Sequence, residues 1–235
     1  MPSIVEIIAE NVAEIRQRIA AAASRAGTDP ASVAMVAVTK YVGPEKTRAV
    51  FQAGCPILGE SRPQQLWPKA EALRDIPIHW HMIGHLQRNK VRRTLPIVKM
   101  VQSVDNLRLL ETIDRIAGEL SLKMPVLLEV NISGEADKHG FSPRAMPPLM
   151  AKMAKFSNIE IQGLMCMAAL SAGTDDARRD FSALRALRDS LAGECPENVN
   201  LKELSMGMSN DFEAAVEQGA TIVRVGSALF RGIPL

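Results

Sequence analysis

Val33-Ala34-Met35-Val36-Ala37-Val38-Thr39-Lys40 is a run of small and β-branched apolar residues that carries no charge until its last position. Such a run reads as a strand buried on both faces, the kind found in parallel sheets. Tyr41, Val42 and the breaker pair Gly43-Pro44 follow it. Side chains alternate along a strand, so Val36, Val38 and Lys40 share one face while Ala37 and Thr39 share the other. If the first face lines a barrel, Lys40 stands at the mouth formed by the carboxyl ends of the strands. An amine above an apolar stem loses hydration, its pKa falls, and its lone pair becomes free to attack a carbonyl. Taken alone, the same lysine equally reads as a side chain snorkelling from a strand end into water. The rest of the chain decides between the two.

Outward from this stretch the pattern repeats. Before it, Ile4, Ile7, Ile8, Val12, Ile15 and Ile19 recur at helical spacing behind Ser3, a plausible N-cap, and the helix ends near Gly27-Thr28-Asp29-Pro30. This helix either caps the bottom of a barrel or packs on its outside. After it, apolar strands are predicted at 57–61, 78–84, 99–105, 125–132, 159–167, 203–208 and 221–227. Helices are predicted between them at 44–53, 64–73, from His85 onward, after Asp105-Asn106, at 176–191 and at 211–218. A turn-rich loop at 133–140 leaves the fifth strand. Eight strands that alternate with helices and never form hairpins imply a parallel sheet. In a chain of this length they predict an α/β fold, the closed (β/α)8 TIM barrel, with an extra N-terminal helix. No linker or shift of composition marks a boundary, so residues 1–235 are expected to form a single domain.

Composition narrows the function classes. The net charge is +2 and only 4% of residues are aromatic, which leaves no footprint for a nucleic-acid partner. Cys55, Cys166 and Cys195 are odd in number and far apart, which argues against a disulfide framework and for a reducing compartment. Glu6, Glu10 and Glu14 interrupt the apolar N-terminal positions, so no signal peptide is expected, and no window reaches transmembrane length. The expectation is a soluble cytoplasmic protein without a membrane partner. No interface-sized apolar stripe is evident, so a monomer is expected.

Barrel proteins often hold phosphate in the loops after the seventh and eighth strands. Here those ends read Ser205-Met206-Gly207-Met208-Ser209 and Gly226-Ser227. Both supply hydroxyls and glycine-opened backbone N–H groups, the equipment for cradling an anion without a metal. Arg224, inside the apolar eighth strand, needs a fixed acceptor. Glu60, Glu129, Glu203 or the ring nitrogen of a cofactor would serve. His79, His81 and His85 raise a metal site, but no acid or cysteine keeps regular spacing with them, and none is expected there. A strand-end lysine, a phosphate cradle across the barrel and a buried arginine between them suit pyridoxal 5′-phosphate (PLP). That molecule offers an aldehyde, a phosphate and a pyridine nitrogen to these three features in turn.

These residues resemble the pyridoxal phosphate homeostasis proteins, single-domain relatives of the alanine racemase N-terminal barrel. The likeness rests on Val38-Thr39-Lys40, Gly59-Glu60-Ser61-Arg62, Trp80-His81-Met82-Ile83-Gly84-His85-Leu86-Gln87-Arg88-Asn89-Lys90 and Ser103-Val104-Asp105. It continues through Val130-Asn131-Ile132-Ser133-Gly134-Glu135, Lys138-His139-Gly140, Gly163-Leu164-Met165, Ser205-Met206-Gly207-Met208-Ser209 and Val223-Arg224-Val225-Gly226-Ser227. The resemblance implies a fold-type III PLP-binding barrel in which Lys40 holds PLP as a Schiff base. It further implies that Ser205, Gly226 and Ser227 hold the phosphate and that Arg224 faces the ring nitrogen. Ser61 stands where the family has asparagine beside the ring, and Pro63 after Arg62 is a second departure, one that is expected to shift the loop.

The resemblance also implies intracellular PLP homeostasis without established catalytic turnover, with PLP-dependent apo-enzymes as candidate recipients. The residues agree. An arginine at the pyridine nitrogen keeps it unprotonated and weakens the ring as an electron sink. A PLP-dependent racemase needs a second acid/base opposite the lysine. The one tyrosine, Tyr41, is expected to point away from Lys40. A Schiff-base aldolase acting on a sugar phosphate is a further alternative, requiring carboxylates near the lysine.

Overall fold

The protein is described here by a computed structural model over residues 2–135, 137–168 and 174–234; Ala136, in the loop expected at 133–140, lies outside them. Its strands are β1 (Ala34–Val38), β2 (Ile57–Glu60), β3 (His79–Met82), β4 (Val98–Val104), β5 (Met124–Glu129), β6 (Ile159–Met165), β7 (Val199–Ser205) and β8 (Ile222–Val225). They pair in sequence order, all parallel, and β1 closes on β8. The helices are α1 (Ile4–Arg25), α2 (Pro44–Gln52), α3 (Pro63–Ala72), α4 (Val91–Thr94), α5 (Leu107–Glu119), α6 (Met146–Met150), α7 (Thr174–Leu191) and α8 (Phe212–Glu217). None is long and apolar enough to cross a membrane.

The N-terminal helix packs on the outside of the barrel. Ser3 and Glu6 form a reciprocal cap at its start, and Ile8, Val12, Ile15 and Ile19 are buried, with α2 and α8 as its helical neighbours. Asn11 then donates to the carbonyls of Leu229 and Arg231, which ties this helix to the end of the barrel. Pro63 occupies the first position of α3, where its missing N–H would be unpaired in any residue.

Within the barrel the expected face of β1 is observed. Val36 packs in an interior cluster with Met100, Leu127, Met165 and Ile222, whereas Ala37 belongs to the layer between strands and helices. Gly59 lies within β2, and a Cβ there would lie 2.8 Å from Val36 Cγ1. Three boundaries differ from the sequence reading in ways that matter. The first strand stops at Val38 and the seventh at Ser205, both earlier than expected. The basic segment after β3 forms only a 3-10 turn, Arg88–Lys90, and the single turn of α4.

A buried ion pair sits where the chain leaves β1. Lys69, from α3, donates to Glu60 Oε1 and, at 2.9 Å, to the carbonyl of Thr39. Thr39 Oγ1 donates to the same Glu60 oxygen at 2.8 Å. Lys69 is 5% exposed and both Glu60 and Thr39 are fully buried, so these charges are held by geometry rather than by water. The arrangement fixes the backbone immediately before Lys40. Lys69→Met should lower unfolding stability by about 3–5 kcal/mol, the cost of stranding one buried charge, and adding Glu60→Gln should restore part of it. Urea unfolding measures both, and a single-variant loss under about 1 kcal/mol would show the pair to be dispensable.

Candidate functional site

The carboxyl ends of the strands open onto a cavity of about 800 Å³. Lys40 reaches it from the β1 exit, Ser61 from β2, Glu129 from β5, Ser209 from the loop after β7, and Arg224, Gly226 and Ser227 from β8 and its exit. Five of the six residues singled out in the sequence therefore share one cavity. Ser205 does not join them.

Ser205 is fully buried below the cavity floor, where it is part of a hydrogen-bonded chain across the barrel. Arg224 Nη1 donates to Ser205 Oγ at 2.5 Å, Ser205 Oγ donates to Gln102 Oε1 at 2.7 Å, and Gln102 Nε2 donates to His81 Nδ1 at 2.8 Å. The directions are mutually consistent only if His81 is neutral with its proton on Nε2, and burial pulls the His81 pKa down to about 4. Arg224 Nη2 meanwhile donates to the Cys166 carbonyl at 2.8 Å. Neutral acceptors thus hold this buried guanidinium, in place of two of the carboxylates considered for it. Glu60 is taken by Lys69 and Thr39, and Glu203 accepts from Thr221. Arg224 has five N–H donors, so some remain for the cavity side.

At the phosphate-like corner, the early end of β7 puts Ser209 where Ser205 was expected. Gly207 turns the chain at φ +88°, and its carbonyl accepts the Arg224 N–H at 3.0 Å. A Cβ at Gly207 would lie 2.5 Å from Ala215 Cβ, so the turn demands glycine on two counts. Ser209 Oγ then accepts from the Gly226 N–H at 3.1 Å, which joins the loops after β7 and β8. Asp211 accepts from Met208 N–H and stiffens the same loop. The Ser-Met-Gly-Met-Ser spacing contained this signal, since it offered a second hydroxyl one turn beyond the first.

Lys40 and Tyr41 also depart from expectation. With β1 ending at Val38, both lie in a turn and alternation no longer applies. The Lys40 ammonium sits over the Tyr41 ring, 4.9 Å from its centroid, and both line the cavity mouth. Tyr41 is 77% exposed. The three histidines weighed for a metal do not converge either. His79 is exposed at the start of β3 and His81 is inside the barrel, while His85 stands at the cavity rim.

Glu129 is the one buried carboxylate in the cavity lining. Burial, with help from the charge of Asp105, pushes its pKa up to about 7, against the opposing pull of Arg224 and His85.

This architecture matches the family of the alanine racemase N-terminal domain over residues 8–234. A pyridoxal phosphate homeostasis protein of Pseudomonas aeruginosa is 40% identical over 225 residues, covering 95% of this chain and 94% of the relative. One from Aquifex aeolicus is 38% identical, covering 94% and 96% respectively. Among solved structures, PipY of Synechococcus elongatus, with PLP bound, superposes with a TM-score of 0.84 at 33% identity over 95% of this chain and 99% of its own. The chain belongs to the pyridoxal phosphate homeostasis protein family.

A raised carboxyl pKa adds stability below its unfolded value, near 4.5, and that stability is lost as pH rises through about 7. The ligand-free protein should therefore lose up to about 3 kcal/mol of unfolding stability between pH 5 and 8 through Glu129 alone. Glu129→Gln should flatten this slope, as followed by urea unfolding across that range. An unchanged slope would show that Glu129 does not titrate there.

Proposed function

We propose that this protein binds PLP in the cavity at the barrel mouth and serves intracellular PLP homeostasis as a holder of the cofactor rather than as a catalyst. The observation that carries the reading is the convergence of Lys40, Arg224 and the Ser209, Gly226 and Ser227 corner on one cavity. When bound, PLP supplies an aldehyde that condenses reversibly with a primary amine and releases water. Lys40 is the amine at the mouth and the natural covalent anchor. Arg224 presents donors to the ring nitrogen and, being permanently protonated, leaves that nitrogen an acceptor. Ser209 and Ser227 offer hydroxyls, and Gly226 a close-approach backbone, to the phosphate. Ser61, which lines the same cavity, would stand beside the ring with a shorter reach than the asparagine of the family.

Two features favour holding over catalysis. The mouth is open, with Tyr41 and Met167 both exposed among the described lining residues, whereas catalytic sites for carbanion chemistry gain from excluding water. An acceptor ring nitrogen also makes the bound ring a poor electron sink. PLP-dependent apo-enzymes are the recipients this role calls for, and a monomer cytoplasmic in location is the form in which we place it. A second, racemase-like reading draws on Tyr41 lying beside Lys40 instead of turning away, although the acid/base it needs stands opposite the amine rather than beside it.

The two readings separate in one experiment. After borohydride reduction the PLP-loaded protein should carry a single adduct on Lys40, absent in Lys40→Ala. The same loaded protein, incubated with L-alanine in deuterated water, should exchange its Cα proton only over hours. Exchange at about 1 per second or faster would establish catalysis. For the phosphate corner, Ser209→Ala with Ser227→Ala should weaken PLP by about 3 kcal/mol, the worth of two charge-assisted hydrogen bonds. Pyridoxal, which lacks the anion, should be nearly unaffected, and equal weakening of both would move the phosphate elsewhere.

A further inference from the structure

Three loops on the rim opposite the phosphate corner bring together His85, after β3, Asp105, after β4, and His139, from the loop after β5. Their ligating atoms all lie within 4.8 Å of one another, and they form the only such group of three histidine, cysteine or acidic side chains among the described residues. No spacing in the sequence announces the cluster, because its members come from three different strand exits. His85 Nδ1 is 2.8 Å from Asp105 Oδ2, and His139 Nδ1 is 3.7 Å from the same oxygen. A zinc-class ion, bound at about 2.0–2.1 Å, would hold neighbouring donors about 3.0–3.5 Å apart, and the two observed distances bracket that range.

The supports of the cluster are as informative as its members. The Asp105 carboxylate is 3% exposed, and its second oxygen is held at 2.5 Å by Asn106 Nδ2, so Oδ2 alone is presented to the two imidazoles. The loop that delivers His139 is itself built. Asn131 Nδ2 donates to the carbonyls of Glu135 and Lys138, its Oδ1 accepts from Gly134 N–H, and Phe141 pairs with the end of β5. Lys138, the cation nearest in sequence, is turned aside onto Ser133 Oγ and Glu135. The rings of His85 and His139 stack at 4.6 Å with an 18° interplanar angle. The His139 side chain is 64% exposed, so solvent rather than packed core surrounds most of its ring.

We propose that His85, Asp105 and His139 form a binding site for a divalent transition-metal ion of the zinc class. Two neutral imidazoles and one carboxylate match the donor preference of such ions over calcium or magnesium. Three protein donors leave a coordination position open. Because His85 and His139 both line the cavity, that position opens toward its occupant and is available to water or to a carboxylate or phosphate oxygen. The site stands whether or not the cavity holds PLP.

The test uses the ligand-free full chain and Co²⁺, with Zn²⁺ as competitor. The chain has four histidines, of which His85 and His139 are the proposed ligands and His79 serves as the control. Wild type should bind one equivalent of Co²⁺, with visible d–d bands of a nitrogen and oxygen set and no thiolate charge-transfer band. His139→Ala, on an exposed ring whose loss does not threaten folding, should weaken binding at least about tenfold, as should Asp105→Asn. His79→Gln, which removes an exposed imidazole at the far end of the barrel, should leave it unchanged. Absence of binding, a thiolate band, or equal weakening by His79→Gln and His139→Ala would each overturn the site.

Discussion

A permanently charged guanidinium inside a hydrophobic barrel is the constraint to which the rest of the cavity is fitted. Arg224 is 4% exposed, and an unpaired charge at that depth would cost several kcal/mol. The fold meets it with neutral groups: the Cys166 carbonyl and a hydrogen-bonded chain of Ser205, Gln102 and His81. Such a chain orients the guanidinium without cancelling its charge. A directly paired carboxylate would have spent that charge inside the barrel, whereas here it remains available to the cavity above. Glu129, the carboxylate that faces it from β5, is itself pushed toward neutrality by burial, so even this partner compensates the arginine only in part near pH 7.

Barrel closure then sets what stands near that charge. The β1–β8 ladder pairs Val36 with Arg224 and Ala37 with Val225, so the strand that leads to Lys40 is the immediate neighbour of the strand that carries the arginine. Beyond the ladder, Lys40 no longer has backbone pairing to hold it. Its anchor is the residue before it, clamped by Lys69 and Glu60. A rigid stem beneath the amine would suit the reversible covalent anchor proposed for Lys40.

The barrel was legible in the sequence because each strand carries its own two-faced apolar run and each crossover its own helical period, which are local properties. The interior direction of Val36 followed from the same alternation, which stops before Lys40. The errors have one origin: where a strand ends is decided by tertiary contacts. Gly207 must turn at φ +88° against Ala215 and Phe212, so β7 stops at Ser205 and the serine at the cavity becomes Ser209. Likewise Tyr41 escapes an alternation that stops at Val38. Gln102 carried no signal at all, because a lone glutamine in a strand acquires meaning only when two residues from other strands meet it. The acceptors of Arg224 were equally hidden, since one is a backbone carbonyl and the other a serine.

The cavity is divided electrostatically, and the division bears on how a bound anion would leave. One side gathers Arg224, Lys40 and the hydroxyl and N–H groups of the loops after β7 and β8. The other gathers Glu129, His85, Asp105 and His139 around the exits of β3, β4 and β5. A phosphate held on the first side gains hydrogen bonds that are individually modest and reachable by water through an open mouth. On the reading proposed above, a covalent bond to Lys40 would carry the retention, and any competing amine could exchange it. Holding with release would then rest on two elements, a reversible bond at the exit of β1 and an anion cradle at the exits of β7 and β8, which the closure of β1 on β8 sets side by side.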